Sequence, residues 1–166
     1  LWGSNAINFS LRDEFNRQLI LQNSTISLIG SSFVNNFTIQ NGSLYVQDLA
    51  SEEYRIEYKA NGYRQRNYYF TMVNGTNSTI ILYLLGIGNG TLTTFSITDQ
   101  TGNEIQNYTL KAQRYYLITN AYEAVAMAKT DAKGEGQLDL EHSTAFYKFI
   151  ITNPSQSIVF DSVPNS

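Results

Sequence analysis

The sequence predicts an all-β protein, built as two tandem immunoglobulin-like or transthyretin-like β-sandwich domains, and three observations lead there. Apolar residues recur with period two: Ile7, Phe9 and Leu11 alternate with Asn8, Ser10 and Arg12, and Tyr54, Ile56 and Tyr58 with Arg55, Glu57 and Lys59. That is the pattern of strands with one face in a core. Turn pairs such as Asn61-Gly62 and Asn74-Gly75, which tolerate positive φ, punctuate the chain every 8–12 residues or so. Helical periodicity is nearly absent. Aromatic residues, mostly Tyr, make up 13% and charged residues only 15% of the chain, with Asn, Ser, Thr and Gln in their place. This composition suits extended segments with a hydrogen-bonding outer face.

The elements follow in order. Residues 6–12 form the first strand, and Asp13-Glu14-Phe15-Asn16 a turn that leaves its acids in solvent. Short alternating runs at 25–29 and 36–40 are the next strands. Residues 41–70 read as strand, turn, strand, turn and strand. Residues 66–72 complete that stretch, and Asn74-Gly75-Thr76-Asn77 turns the chain back. Residues 79–85 differ, because Ile80, Ile81, Leu82, Tyr83, Leu84 and Leu85 are apolar on both faces. A strand of this kind is buried on both sides, and its outer face is expected against the neighbouring domain. Gly86-Ile87-Gly88-Asn89-Gly90 reads as the linker. It sets the boundaries at 1–86 and 87–166. Strands then fall at 91–98, 108–114, 117–129, 137–140, 147–152 and 157–160. The stretch 121–128 is rich in alanine, the best helix former. Val125 and Met127 nevertheless alternate with Ala124, Ala126 and Ala128, so it is assigned to a strand.

At 166 residues the chain is long enough for one large β domain or two of roughly 80 residues. The formal net charge of −3, with scattered Lys and Arg, offers no field for nucleic acid. There is no cysteine, which fits a cytosolic protein or a prokaryotic or viral surface protein stabilised without disulfides. No run reaches the roughly 18 apolar residues of a membrane-spanning helix. The first residue is Leu1 rather than Met, so a processed product or a piece of a longer chain is expected.

The two halves echo each other. Phe9-Ser10-Leu11-Arg12-Asp13 parallels Phe95-Ser96-Ile97-Thr98-Asp99. Gly42-Ser43-Leu44 followed by Tyr54-Arg55-Ile56 parallels Gly136-Gln137-Leu138 followed by Tyr147-Lys148-Phe149. Tyr54-Arg55-Ile56-Glu57-Tyr58-Lys59-Ala60-Asn61-Gly62-Tyr63 resembles a motif of the carboxypeptidase-regulatory-like, transthyretin-like β-sandwich modules. Thr130-Asp131-Ala132-Lys133-Gly134 and Tyr147-Lys148-Phe149-Ile150-Ile151 match it more loosely, and Asn153-Pro154-Ser155 departs from it. The resemblance implies non-catalytic spacer, adhesive or scaffolding units of surface proteins. The second half has fewer strand-like runs after its Tyr motif, so its sandwich is expected one strand short. The open edge would be filled by strand addition from another subunit or a neighbouring domain, or the sheet is simply shorter.

Reactive chemistry has little to work with. The only His, His142, lies in a loop context. Neither a phosphate cradle nor zinc spacing occurs, and the stretch 131–135 lacks the alternating ligands of a calcium loop. No catalytic, cofactor or metal site is therefore assigned. The signal above background is Asn-x-Ser/Thr, at Asn8, Asn23, Asn36, Asn41, Asn74, Asn77, Asn89 and Asn107. Composition alone predicts about three such sequons; eight are present. N-linked glycans are the expected modification, with Asn8 and Asn107 the least favourable because they sit within or at the start of strands. The Tyr-rich segments raise a second reading, a carbohydrate- or peptide-binding module of a larger surface protein or secreted hydrolase. The first reading is a structural glycoprotein, archaeal or otherwise prokaryotic, or viral. It would be extracellular, at a cell or virion surface, in a filament, surface layer or virion, and would assemble through strand edges, by self-association or with neighbouring domains.

Overall fold

The computed structural model describes residues 5–162. It is all-β, with thirteen strands among the described residues and no helix. The chain divides into two compact units, Leu1–Ile87 and Gly88–Ser166.

The first unit holds β1 (Ala6–Asp13), β2 (Ser24–Ile29), β3 (Val34–Ile39), β4 (Ser43–Val46), β5 (Glu53–Ala60), β6 (Arg66–Thr71) and β7 (Asn77–Leu84). One sheet runs β4-β1-β7, and the strands β6-β5-β2-β3 lie side by side in another. β1 is antiparallel to β4 and parallel to β7, with Phe9 opposite Leu44 and Ile80. Alternation works as the sequence requires: Tyr54, Ile56 and Tyr58 point into the core from β5, and Ile7, Phe9 and Leu11 from β1. Phe70 on β6 stacks on Tyr54 within its sheet and meets Phe9 of the opposite sheet edge-on, at ring separations of 5.3 and 6.3 Å. The unit is thus a sandwich of two sheets around one core.

The second unit holds β8 (Thr91–Ser96), β9 (Thr109–Tyr116), β10 (Ala121–Lys129), β11 (Glu135–Leu140), β12 (Tyr147–Thr152) and β13 (Ile158–Asp161). β8 and β11 form a two-stranded sheet, and β13-β12-β9-β10 lie side by side. The Phe95 and Phe149 rings, 5.3 Å apart, join the two layers. The alanine-rich stretch is a strand because its pairing with β9 overrides propensity. A register shift between Ala124 and Ala126 leaves Val125, Ala126, Met127 and Ala128 all buried instead of alternating.

The repeat is present at the level of hydrogen bonds. Leu11 donates its N–H to the Gly42 carbonyl and accepts from Ile20 N–H. Ile97 donates to the Gly134 carbonyl and accepts from Ile105 N–H. Asp13 Oδ1 accepts from the N–H groups of Phe15 and Asn16, and Asp99 Oδ1 from those of Thr101 and Asn103. Each half also anchors a Tyr to backbone just upstream: Tyr54 donates to Ala50 O, and Tyr147 accepts from Glu141 N–H. Leu11 therefore corresponds to Ile97, but Gly42 corresponds to Gly134, two residues before the Gly136 that the sequence pattern selects. Both Gly42 and Gly134 have a φ of 70°, whereas Gly136 lies in β11 opposite Phe95. The two strand orders then superimpose, β1 to β6 on β8 to β13, and β7 has no counterpart among the described residues.

The two units are not equally well filled. The twelve largest fully buried side chains, from Tyr54 and Tyr58 to Leu82 and Leu84, all belong to the first.

Candidate functional site

The functional candidates lie on the surfaces of these sandwiches. Of the eight sequon asparagines, Asn23, Asn36, Asn41, Asn74, Asn77, Asn89 and Asn107 are exposed, and Asn8 is half-buried. Asn8 sits in β1 between β4 and β7, opposite Tyr45 and Thr79. Asn107 is not embedded in a strand. It holds a φ of 64° in the turn before β9. Three exposed sequons fall on or just before edge strands of the first unit. Asn36 lies inside β3, Asn41 two residues before β4, and Asn77 begins β7. A branched sugar at such a place keeps an edge from pairing with other chains, the role that charges or prolines play elsewhere.

In the second unit β8 pairs with β11 alone among the described residues. Its sequence, Thr-Leu-Thr-Thr-Phe-Ser, carries no charge, and Leu92 is 46% exposed. β13 is a short edge strand on which Ile158, Val159 and Phe160 are all exposed. A third apolar surface was hidden in the sequence. Residues 117–129 read as one strand, but 117–120 form the turn between β9 and β10. At its tip Leu117 and Ile118 are each 86% exposed. Phe146, 70% exposed, lies alongside through its carbonyl bond to Tyr115 N–H. Two consecutive apolar residues before Thr119-Asn120 were the available signal.

The polar groups weighed for chemistry serve the fold. Glu14 is a correction: expected in solvent, it is completely buried. Its N–H continues the ladder to Leu84 O, and its Oε2 lies 2.6 Å from Arg66 Nη2, while Arg66 Nη1 donates to Tyr83 O. Asp13, next to it, accepts from the Tyr63 hydroxyl at 2.9 Å. Burial and that bond push the Tyr63 phenol up to about 12. In the second unit Arg114 approaches Glu141 to 3.6 Å. Burial pushes the Glu141 carboxyl up, but hydrogen bonds from the hydroxyl and backbone groups of Ser143 and Thr144 outweigh it and hold the group at about 2. Asp131 Oδ1 is occupied by Lys133 and Glu135 N–H groups. The His142 Nε2 sits 2.8 Å from Thr93 Oγ1. No cluster of three metal-ligating side chains occurs among the described residues, and no helix is long and apolar enough to cross a membrane.

Of the twelve tyrosines only Tyr45 is exposed; the others are buried or half-buried. A groove of about 300 Å³ between β2, β3 and β5 is lined by Asn23, Thr25, Thr38, Gln40, Lys59 and Asn61, and holds no aromatic ring.

Fold and surface together define an all-β chain of two sandwich units with exposed sequons and open strand edges. No protein-family model matches it, and no curated protein matches it. Among solved structures it is similar to a streptococcal ancillary pilin, with a TM-score of 0.42 and 12% identity, over 98% of this chain and 60% of the pilin. It is also similar to a DUF3823 family protein from Bacteroides ovatus, with a TM-score of 0.40 and 14% identity, over 98% and 97% of the two chains. The shaft pilin SpaA of Lactobacillus rhamnosus GG gives a TM-score of 0.36 and 13% identity, over 92% and 88%. At these scores the likeness carries no argument about activity.

Proposed function

We propose that this chain is a non-enzymatic structural module of an extracellular surface, a subunit or segment of a filament or surface layer. It assembles through strand edges and apolar contacts, and N-linked glycans cover the remaining surface. Each unit is a domain in its own right, of the carboxypeptidase-regulatory-like type that the Tyr54–Tyr63 motif resembles. The observation that carries this reading is the exposure of seven of eight sequon asparagines, combined with apolar strand edges and an apolar hairpin tip in the second unit. Glycans and open edges divide the surface into protected and adhesive parts.

The test is electron microscopy of material from the native source, with intact mass. Ordered polymers and a mass above 18.8 kDa per chain are expected. Monomers at all concentrations with no mass beyond the polypeptide overturn both parts of the proposal.

A further inference from the structure

Among the described residues β1 has β7 beside it where β8 has an open edge. By the shared hydrogen bonds, Ala6 to Asp13 correspond to Leu92 to Asp99, and in the first unit β7 lies parallel to that whole stretch. Ile7, Phe9 and Leu11 are completely buried there, and Ala6 nearly so. Their counterparts Thr93, Phe95 and Ile97 are only half-buried, and Leu92 is exposed. Ile97 N–H points at Gly134, on the β11 side. Because donors alternate along a strand, Leu92, Thr94 and Ser96 present theirs to the vacant side.

We propose that the free edge of β8 accepts one extended strand from another polypeptide, parallel to β8, with apolar side chains at alternate positions that cover Phe95 and Ile97 as Ile80, Leu82 and Leu84 cover β1. This rests on the assembly reading and names its acceptor. The donor is an extended arm rather than a strand of a second copy. Withdrawing any of the thirteen strands from its own sheet in a second copy would break as many bonds as it makes, and edge-to-edge docking of a second copy's sheet would instead give dimers of the 166-residue protein without any peptide, which overturns the arm. A glycan at Asn89 lies three residues before Leu92, outside the paired stretch.

The probe is a synthetic peptide of the chain's own β7 sequence, Asn77 to Leu84, flanked by lysines and spin-labelled at its N-terminus. It is added to the 166-residue protein and followed by amide exchange and NMR line broadening. Binding slows exchange at Leu92, Thr94 and Ser96 at least tenfold and broadens the Leu92 end, because the strands are parallel. Thr94→Pro removes one outward donor at an edge, where proline is tolerated; it leaves the melting temperature near that of wild type and abolishes the protection. No protection, protection that survives Thr94→Pro, or broadening at the Ser96 end each overturns the proposal. If wild type and Thr94→Pro polymerise equally, the acceptor is wrong while the assembly reading stands. If the peptide binds as described but native material never assembles, the assembly reading fails and the acceptor edge stands. Native monomers that already protect these amides place the strand in their own chain and overturn the donor in trans.

Discussion

Replacing Gly134 with alanine tests the repeat and its register together. At a φ of 70° an L-residue costs roughly 1–2 kcal/mol. A Cβ at Gly134 would also stand 2.5 Å from Ile97 O and 3.1 Å from Ile105 N. Both are backbone, so relief requires β8 and β11 to separate by about half an ångström. That loosens the Ile97–Gly134 and Ile105–Ile97 bonds, and a lost bond of this kind costs about 0.5–1.5 kcal/mol net. The sum is about 2–5 kcal/mol, less a few tenths recovered from the stiffer unfolded chain. Gly42→Ala has the same φ, but its nearest backbone atom is Ile20 O at 3.0 Å, so about 1–2 kcal/mol is expected. Gly136→Ala is the control. Its Cβ would meet the Ala128 side chain at 3.4 Å and the Lys129 backbone at 3.7 Å, both ordinary contacts, and it should be neutral or stabilising by up to about 1 kcal/mol. Native-state amide exchange reads the two units separately, through Leu11 and Ile20 in one and Ile97 and Ile105 in the other. A Gly136→Ala penalty as large as that of Gly134→Ala, or a Gly42→Ala effect on the Ile97 amide, refutes the reasoning.

Other outcomes follow from named contacts. Arg66→Met strips Glu14 of its guanidinium in a dry site and should cost about 3–5 kcal/mol in thermal denaturation; Glu14→Leu with Arg66→Met should regain part of it. Glu141 is held at about 2 in the fold, below its ordinary 4.5. The stability it contributes is therefore complete above about pH 4.5 and lost as pH falls toward 2. Glu141→Gln should flatten that acid limb in circular-dichroism melts, and an unchanged limb would contradict the assignment. Glycopeptide mass spectrometry of native material should find Asn23, Asn36, Asn74, Asn89 and Asn107 occupied and Asn8 bare. Occupancy at Asn41 and Asn77 should trail, because the Oδ1 of each already accepts, from Ser43 N–H and Ala6 N–H.

Strands such as β1 and β5 were legible because one face of each meets the core and the other meets water, and alternation records that directly. β7 was legible in part from its unbroken apolar run: Leu82 to Leu85 are buried, but Ile80 and Ile81 are only half-buried and Asn77 to Thr79 exposed. What local pattern does not carry is partnership. β4 and β5 are neighbours in the chain yet belong to opposite sheets. Glu14 reads as a turn acid because Arg66, the residue that brings it inside, is remote in sequence. The Gly134 register was invisible because the requirement for glycine comes from the Ile97 carbonyl, which only the fold places there. The sequons were fully legible as motifs. Their exposure was foreseeable for the turn positions Asn41, Asn74, Asn77 and Asn89, and for Asn107 it followed from a turn that the reading had put at the edge of a strand.

The missing counterpart of β7 has a consequence for stability that is independent of any donor. Parallel pairing with β7 adds apolar cover along one edge of β1, and each large side chain completely buried contributes roughly 1.5–3 kcal/mol. The second unit forgoes this at Phe95 and Ile97, which are half-exposed. It also buries the charged pair of Arg114 and Glu141, whose 3.6 Å separation is looser than the 2.6 Å contact of Arg66 and Glu14. A sandwich of about 80 residues has little margin for such losses. In urea, β9 and β12 amides should therefore exchange by opening at lower concentration than those of β2 and β5. Saturating β7 peptide should raise that threshold in the second unit alone, since a ligand of the folded state stabilises it by mass action. Simultaneous opening of both units, or earlier opening of the first, would mean that the edge of β8 is no weakness in the fold.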